Sequence, residues 1–291
     1  MRFRFIEGQR QVFPVRRLCE VLNVTSSGYY AWRTRPVSAR EMANQELVKR
    51  IEAVHKDSHG TYGSPRVYRE LKAQGMTCSR NRVARLMRLH HLGAKRTKRF
   101  RATTKPNRAR PVAPNLLKRD FVAMGLAERW LADITYIPTS EGWLYLAVIL
   151  ELYSRYVAGW AMSERMTSDL AIRALSMALQ RRPPRPGLIH HSDRGSQYTD
   201  QRYQALLQQH GIQASMNGAG SWYDNAPMES FFGTLKSELV HHRTYASRAE
   251  ARSDLFYYIE AFYNRRRRHS SLGYFSPEAY EQLHHEHTTE A

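Results

Sequence analysis

A chain of 291 residues with 42% hydrophobic content has room for one large domain and one or two small ones. Its longest apolar run, Trp143 to Leu150, falls far short of a bilayer span, and the N-terminus lacks a signal-peptide core. Two cysteines, Cys19 and Cys78, exclude a disulfide framework and a CxxC zinc knuckle, so a reducing cytoplasm is expected and no membrane partner. The net charge of +19 sits in the N-terminal part: residues 1–118 hold 27 Lys or Arg against 7 Asp or Glu, and 119–291 hold 18 against 19. Nucleic acid is the partner such a block implies, because each phosphate neutralised releases condensed counterions.

Pro14 to Trp32 reads as two short helices, with Val15, Leu18, Cys19 and Leu22 on one stripe, a break at Asn23-Val24-Thr25, and Tyr29, Tyr30 and Trp32 beyond it. Residues 1–42 thus form a helical segment, either a helix-turn-helix or a docking piece for the next domain. Over 43–94, Leu47, Ile51 and Val54 mark one helix. Ser64 caps and Pro65 starts a second helix ending at Gly75, and Ser79 caps a third. On that third helix Val83, Leu86, Met87 and His90 share one face, while Arg80, Arg82, Arg85 and Arg88 occupy the rest. This is the pattern of a helix-turn-helix whose second helix enters the DNA major groove. A basic linker arm spans 95–118; within it Lys95 to Arg110 carries eight basic residues and no acid, including Lys95, Arg96, Lys98, Arg99 and Arg101. An extended arm lying along a DNA groove fits that composition.

Beyond residue 119 strands and helices alternate. Strands are expected at Trp130–Ile137, Trp143–Leu150 and Tyr156–Met162, a helix from Thr167 to about Leu179, a strand at Leu188–Ser192, a helix ending at Gly211 and a strand at Ile212–Met216. A last helix opens at Asn225-Ala226-Pro227, with Glu229, Phe232 and Lys236 sharing one inner stripe. The order is that of an α/β ribonuclease H-like fold with a mixed five-stranded sheet covered on both faces, behind an all-α helix-turn-helix region.

Three acids stand where this fold can gather them: Asp133 within the first strand, Asp193 where the fourth gives way to a turn, and Glu229 on the helix after the fifth. If strands one and four are neighbours, both Asp side chains can converge, because ligand sites in open α/β sheets collect at strand ends. Three hard oxygen donors suit Mg²⁺ or Mn²⁺, and two such ions can activate a nucleophilic oxygen and stabilise a leaving one at phosphorus. Singly, each acid also has an ordinary structural explanation: a loop contact, a turn cap, a surface ion pair.

His191-Ser192-Asp193-Arg194-Gly195-Ser196-Gln197-Tyr198 and Trp222-Tyr223-Asp224-Asn225-Ala226-Pro227-Met228-Glu229-Ser230-Phe231-Phe232 resemble the catalytic signatures of bacterial insertion-sequence transposases of the IS-three family, second reading-frame product. The 35 residues between Asp193 and Glu229 match the spacing in that family and in retroviral integrases, and Lys236 follows at the family's offset. Trp130 to Tyr136 resembles the first catalytic strand, Tyr62-Gly63-Ser64-Pro65-Arg66-Val67 the helix-turn-helix, and Tyr263-Asn264 through Arg268-His269 to Pro277 the C-terminal motif. The resemblance implies an integrase-like catalytic core over 119–281, with a C-terminal helical extension and a tail at 282–291. It implies Asp133, Asp193 and Glu229 as the catalytic, metal-binding triad, two Mg²⁺ or Mn²⁺ ions per active site, and Lys236 contacting DNA near the cleavage point. It implies copy-out, paste-in transposition on terminal inverted repeats and target DNA, a homo-oligomer of at least two copies, nucleoid association, and fusion to the upstream reading-frame product. A nuclease that only hydrolyses and a non-enzymatic regulator of transposition are the alternatives.

Arg265 to Arg268 read as a DNA-facing helix edge, with Arg265 and Arg266 as the contacts; Arg194 reads as a phosphate contact or a structural ion pair. Trp222 and Tyr223 either stack on an unpaired base or pack their loop. The histidine pairs at 190–191, 241–242 and 284–285 have no cysteine pair beside them, so a zinc site is not expected.

Overall fold

A computed structural model describes residues 1–95, 113–218 and 225–289, with side chains of the final helix to residue 284. Arg96, Lys98, Arg99 and Arg101 of the arm, and Trp222 and Tyr223, lie outside the described residues.

Three short helices open the chain: α1 (Arg2–Gln9), α2 (Val15–Val21) and α3 (Ser26–Thr34). The first was not anticipated, because only Ile6 of its eight residues is buried and the polar residues around it leave no readable stripe. Ile6, Cys19 and Tyr29 form a small core of their own, edged by Phe3, Leu18, Val24 and Trp32. The break falls where expected: Thr25 caps α3 by accepting from the Gly28 N–H at 3.1 Å.

The next unit is α4 (Ala39–Asp57), α5 (Ser64–Ala73) and α6 (Arg80–Leu89). Leu47, Val48, Ile51 and Val54 of α4 pack against Val67 and Leu71 of α5 and Val83, Leu86 and Met87 of α6. Gly63 rather than Ser64 takes the N-cap of α5, and no side chain caps it; Pro65 supplies the preset φ of the first turn. The expected Gly75 stop is present, in the left-handed region at φ +78°. Ser79 caps α6 as expected, accepting from Arg82 N–H at 3.3 Å. His90, expected on the buried face, is instead the exposed C-cap residue, because α6 has already ended at Leu89.

The sheet consists of β1 (Arg129–Thr139), β2 (Gly142–Glu151), β3 (Val157–Ser163), β4 (Ile189–Ser192) and β5 (Gln213–Met216), in the order β3-β2-β1-β4-β5. β1–β2 and β2–β3 are antiparallel and β1–β4 and β4–β5 parallel, so the sheet is mixed. The period of two in β1 and β2 separates two cores. Leu131, Ile137, Leu144, Leu146, Val148 and Leu150 face Met228, Phe231, Phe232 and Leu235 of α9 (Ala226–Glu238). Trp130, Ala132, Ala147 and Ile149 face α7 (Ser168–Arg181) and α8 (Gln201–Gln209). Helix α7 lies very close to β3: a Cβ on Gly159 would fall 2.2 Å from the Ala174 carbonyl oxygen, so only glycine admits the helix there. Residues 113–118, assigned to the linker from sequence, belong partly to this domain. Leu117 is buried, Leu116 N–H donates to Ser215 Oγ at 2.9 Å, and the Pro114 carbonyl accepts from Met216 N–H.

After α9 come α10 (Arg248–Phe256), a π-helical stretch Tyr257–Tyr263, and α11 (Pro277–Thr289), which runs on through most of the stretch read as a tail. Asn264, fully buried, clamps the first residue of β3: its amide accepts from Val157 N–H at 2.9 Å and donates to the Val157 carbonyl at 3.2 Å. Arg267 and Arg268 turn inward, against the reading of 265–268 as one outward edge; Arg265 and Arg266 remain exposed. Arg267 grips Glu238 of α9 through two nitrogens at 2.8 and 2.7 Å, and Tyr258 hydroxyl donates to the same carboxylate at 2.8 Å. Arg268 pairs with Glu70 of α5 at 2.6 Å, while its N–H donates to Tyr62 hydroxyl at 2.8 Å. Through these contacts and Arg66, 3.8 Å from Glu238, the helix-turn-helix unit is docked on the end of α9. No helix among the described residues is long and apolar enough to cross a membrane.

Candidate active site

Parallel pairing of β1 with β4 matches Trp130 to His190 and Leu131 to His191. Carrying that register two residues further brings Asp133 level with Asp193, just past the end of β4. Asp133 lies on the β1 face that α9 covers, with Val148 of β2 as its cross-strand partner. Its Oδ1 accepts from Ile134 N–H at 2.7 Å. Asp193 Oδ1 accepts from Gly195 N–H at 2.9 Å, which folds the turn back on the carboxylate. A Cβ at residue 195 would stand 2.9 Å from that same oxygen, so the glycine is what lets the turn close.

The electrostatics report the same convergence. Burial, then the charge of Asp193, push the Asp133 carboxyl up to about 8; Glu229 adds to the rise, and Ile134 N–H and Lys236 oppose it. Burial also raises Asp193, with Gly195 N–H pulling the other way. Glu229, in the first turn of α9, is close enough to act on Asp133 but is itself exposed, so the shared inner stripe expected of α9 is split: Phe232 and Lys236 are buried and Glu229 is not. Asn225 occupies the N-cap position of α9 without a side-chain capping bond. Lys236 lies along the Tyr136 ring, its ammonium 4.8 Å from the centroid, and burial lowers its pKa while Asp133 raises it. Among the described residues no three acids, histidines or cysteines stand close enough to hold a metal ion as a group. The donor chemistry nevertheless suits one: two half-buried carboxylates crowd together, Asp193 raises the cost of ionising Asp133, and Lys236 is the cation that opposes it, while hard oxygen is what a small divalent cation takes.

This crowding sets a pH dependence. The folded chain binds the Asp133 proton more tightly than the unfolded one, whose aspartates titrate near 3.8, so this contribution is complete below that value and is lost as pH rises through about 8. His190 and His269 act oppositely: burial holds them at about 3 and about 2, so their contribution is lost as pH falls below 6.5. In chelator, between pH 6.5 and 8, the thermal midpoint is therefore expected to fall with rising pH, and Asp133→Asn to flatten the fall. A slope unchanged in the variant would contradict the burial of this acid.

Around the acids lie residues that the sequence did not assign. Tyr198, the last residue of the motif His191–Tyr198, is almost fully buried, and both Asp133 and Asp193 raise its phenol pKa after burial itself. Its hydroxyl has no hydrogen-bond partner among the described residues. His191 fastens β4 to the strand beside it, Nδ1 to Ser215 Oγ at 2.8 Å and Nε2 to Asn217 Oδ1 at 2.7 Å. His190 Nε2 meets Tyr203 hydroxyl at 3.0 Å, so this histidine pair has a structural task. Arg194 donates from Nε to the Asn217 carbonyl at 2.6 Å, a neutral partner in place of the ion pair considered from sequence.

Of the basic residues expected to meet DNA, Arg80, Arg85 and Arg88 are exposed on α6. Arg82 is half-buried and donates from Nε to Asn44 Oδ1 at 3.0 Å, which ties α6 to α4. Lys95 is anchored by its N–H to the Gly60 carbonyl at 2.9 Å, where the chain leaves the helix-turn-helix unit. Arg265 is exposed and 3.7 Å from Glu278.

Residues 126–221 and 229–284 match the family described as Integrase core domain, and residues 42–100 that described as HTH-like domain. The chain is 46% identical to the Insertion element IS600 uncharacterized 31 kDa protein of Shigella sonnei, over 92% of this chain and 99% of that one. It is 44% identical to Transposase InsF for insertion sequence IS3A of Escherichia coli (strain K12), over 97% of this chain and 98% of that one. Among solved structures, the catalytic core domain of BIV integrase aligns at 22% identity with a TM-score of 0.42, over 57% of this chain and 99% of that one. The HTLV-2 integrase catalytic core domain in complex with magnesium (dimeric form) aligns at 16% identity with a TM-score of 0.41, over 54% of this chain and 98% of that one. With an integrase-type core behind an HTH-like domain, and near-complete alignment to a transposase at 44% identity, the chain belongs to the IS3 (IS-three) family of insertion-sequence transposases.

Proposed function

We propose that this transposase cleaves a phosphodiester at the ends of its insertion sequence and joins the freed 3′-OH to a second phosphodiester, with Asp133, Asp193 and Glu229 as the acids at the reacting phosphate. The observation that carries this is the meeting of Asp133 and Asp193 on neighbouring parallel strands, where the charge of Asp193 raises the cost of ionising Asp133. Glu229 approaches the pair from the first turn of α9 and extends the acid set toward solvent, where a DNA strand would arrive. Mg²⁺ or Mn²⁺ held by these three residues, two ions per site, would supply the Lewis acidity that activates the attacking oxygen and stabilises the leaving one.

The protein's own groups have separate tasks. Gly195 N–H orients Asp193, Ile134 N–H orients Asp133, and the Lys236 ammonium, fixed over Tyr136, offsets carboxylate charge beside the scissile strand. Arg80, Arg85 and Arg88 bind the terminal repeats, with Lys95, Arg96, Lys98, Arg99 and Arg101 following the backbone, and Arg265 and Arg266 contacting the same duplex or target DNA. Arg194, the residue after Asp193, touches the scissile phosphate. Two ends must be held at once, so the working form is at least a dimer on the bacterial nucleoid, and fusion to the upstream reading-frame product completes end recognition. The copy-out, paste-in order corresponds to a first attack that joins one end to the other.

The test is the class of product formed on duplexes carrying the element's own ends in Mg²⁺ or Mn²⁺. Joined strands are expected. Nicks without joining would replace this reading with a hydrolytic nuclease, and binding without chemistry, alone and as the upstream fusion, would replace it with a regulator.

A further inference from the structure

The geometry points to a second DNA-reading module at the start of the chain: α2 and α3 form a helix-turn-helix of their own, with the outer stripe of α3 set to enter a groove. This is independent of the assignment of the acids.

The two helices are joined by four residues, Leu22 to Thr25, and the turn passes through Asn23 in the left-handed region at φ +51°. A short turn with one such residue is what lets the second helix cross the first steeply instead of continuing it. Cys19 of α2 and Tyr29 of α3 fill the angle between the helices and α1 closes it with Ile6, so the pair is held by a core separate from that of α4–α6. Gly28, Tyr29 and Trp32 turn toward that core, which leaves Ser27, Tyr30, Ala31 and Thr34 on the opposite, exposed face. The spacing is that of one helical stripe. It carries no acid and mostly small side chains, which allow the close approach to base edges that a recognition helix needs.

Charge and surface shape favour DNA over protein as the occupant. Residues 1–42 contain eight Arg, no Lys and three Glu. Two of the acids are already engaged within the module: Glu7 with Arg10, Arg33 and the Tyr29 hydroxyl, and Glu20 with Arg16 and Arg17. Arg16 and Arg17 are nonetheless 90% and 79% exposed on α2, the helix that crosses the backbone in such motifs. Beside the turn, an open concavity of about 650 Å³ is lined by Arg2, Arg4, Phe3, Val24 and Trp32, with the Phe3 and Trp32 rings stacked at 5.8 Å. Together with α6, this gives the chain two reading heads in tandem, each with its own core.

Hydroxyl-radical footprinting of the full chain on a duplex of the element's end, in chelator so that chemistry plays no part, tests this. Ala31→Glu places a carboxylate on the outer stripe at an exposed position. It is expected to erase one protected patch and weaken binding about tenfold, while the patch lost in Arg85→Glu persists. A footprint identical to wild type would overturn the proposal. Photocrosslinking from a benzophenone side chain at position 30 gives a readout that does not depend on folding of the Glu variant: crosslinks to DNA support the module as a reader. Crosslinks to a second copy of the chain would make the stripe a protein interface and overturn it.

Discussion

Arg267→Ala is expected to cost about 3–5 kcal/mol of unfolding free energy, the range for removing one partner of a buried ion pair. The guanidinium is nearly inaccessible and holds Glu238 through two hydrogen bonds, so its loss strands a carboxylate whose side chain is only 9% exposed. Tyr258 and Arg66 would remain, but one is neutral and the other lies 3.8 Å away. The Glu238 site is also where α5, α9 and the C-terminal segment meet, so the expected damage includes release of the helix-turn-helix unit from the catalytic domain. Urea unfolding measures the first effect and limited proteolysis between the two units the second. Arg265→Ala, by contrast, should change stability by less than about 0.5 kcal/mol, because that side chain is exposed and its ion pair is a surface one. Equal effects of the two substitutions would show that the buried cluster does not fasten the domains.

Asp133→Asn and Asp193→Asn are each expected to lower strand transfer by at least about 10³-fold, since the amide keeps the shape but loses the charge on which electrostatic catalysis at phosphorus depends. DNA affinity measured in chelator should stay within about threefold, because the phosphate contacts proposed for the basic residues do not involve these acids. Asp133→Asn should at the same time raise the thermal midpoint at pH 8 in chelator, since it removes the acid that burial and Asp193 disfavour most. Lost activity with gained stability is the signature of a site built for function rather than for folding. Lost activity with lost stability would mark Asp133 as structural.

The strands and helices of the catalytic domain were legible from two plain patterns: β2 is a continuous apolar run, and Met228, Phe231, Phe232 and Leu235 repeat at helical spacing, whereas β1 buries Trp130, Leu131 and Ala132 on both faces. Convergence of Asp133 with Asp193 needed one further fact, the adjacency of β1 and β4, which fold order suggests and only pairing supplies. What stayed hidden was tertiary in origin. Arg267 and Arg268 look like their exposed neighbours Arg265 and Arg266 in sequence, and only the positions of Glu238 and Glu70, 29 and 198 residues away, turn them inward. Tyr198 lies inside a motif that reads as an acid and a turn, and its proximity to both aspartates comes from the way Gly195 folds the chain back. Helix α1 was missed because a helix buried by one residue leaves no periodic trace.

Glu229 is the acid on which the proposed triad turns, because it is exposed and stands in the first turn of α9, apart from the Asp133–Asp193 pair. Strand transfer by wild type and Glu229→Gln, side by side in Mg²⁺ on the element's own ends, is therefore the most direct measurement. Joined product from wild type and none from the variant, with equal DNA binding by both, is the predicted result. Joining by Glu229→Gln at a rate near wild type would contradict the triad.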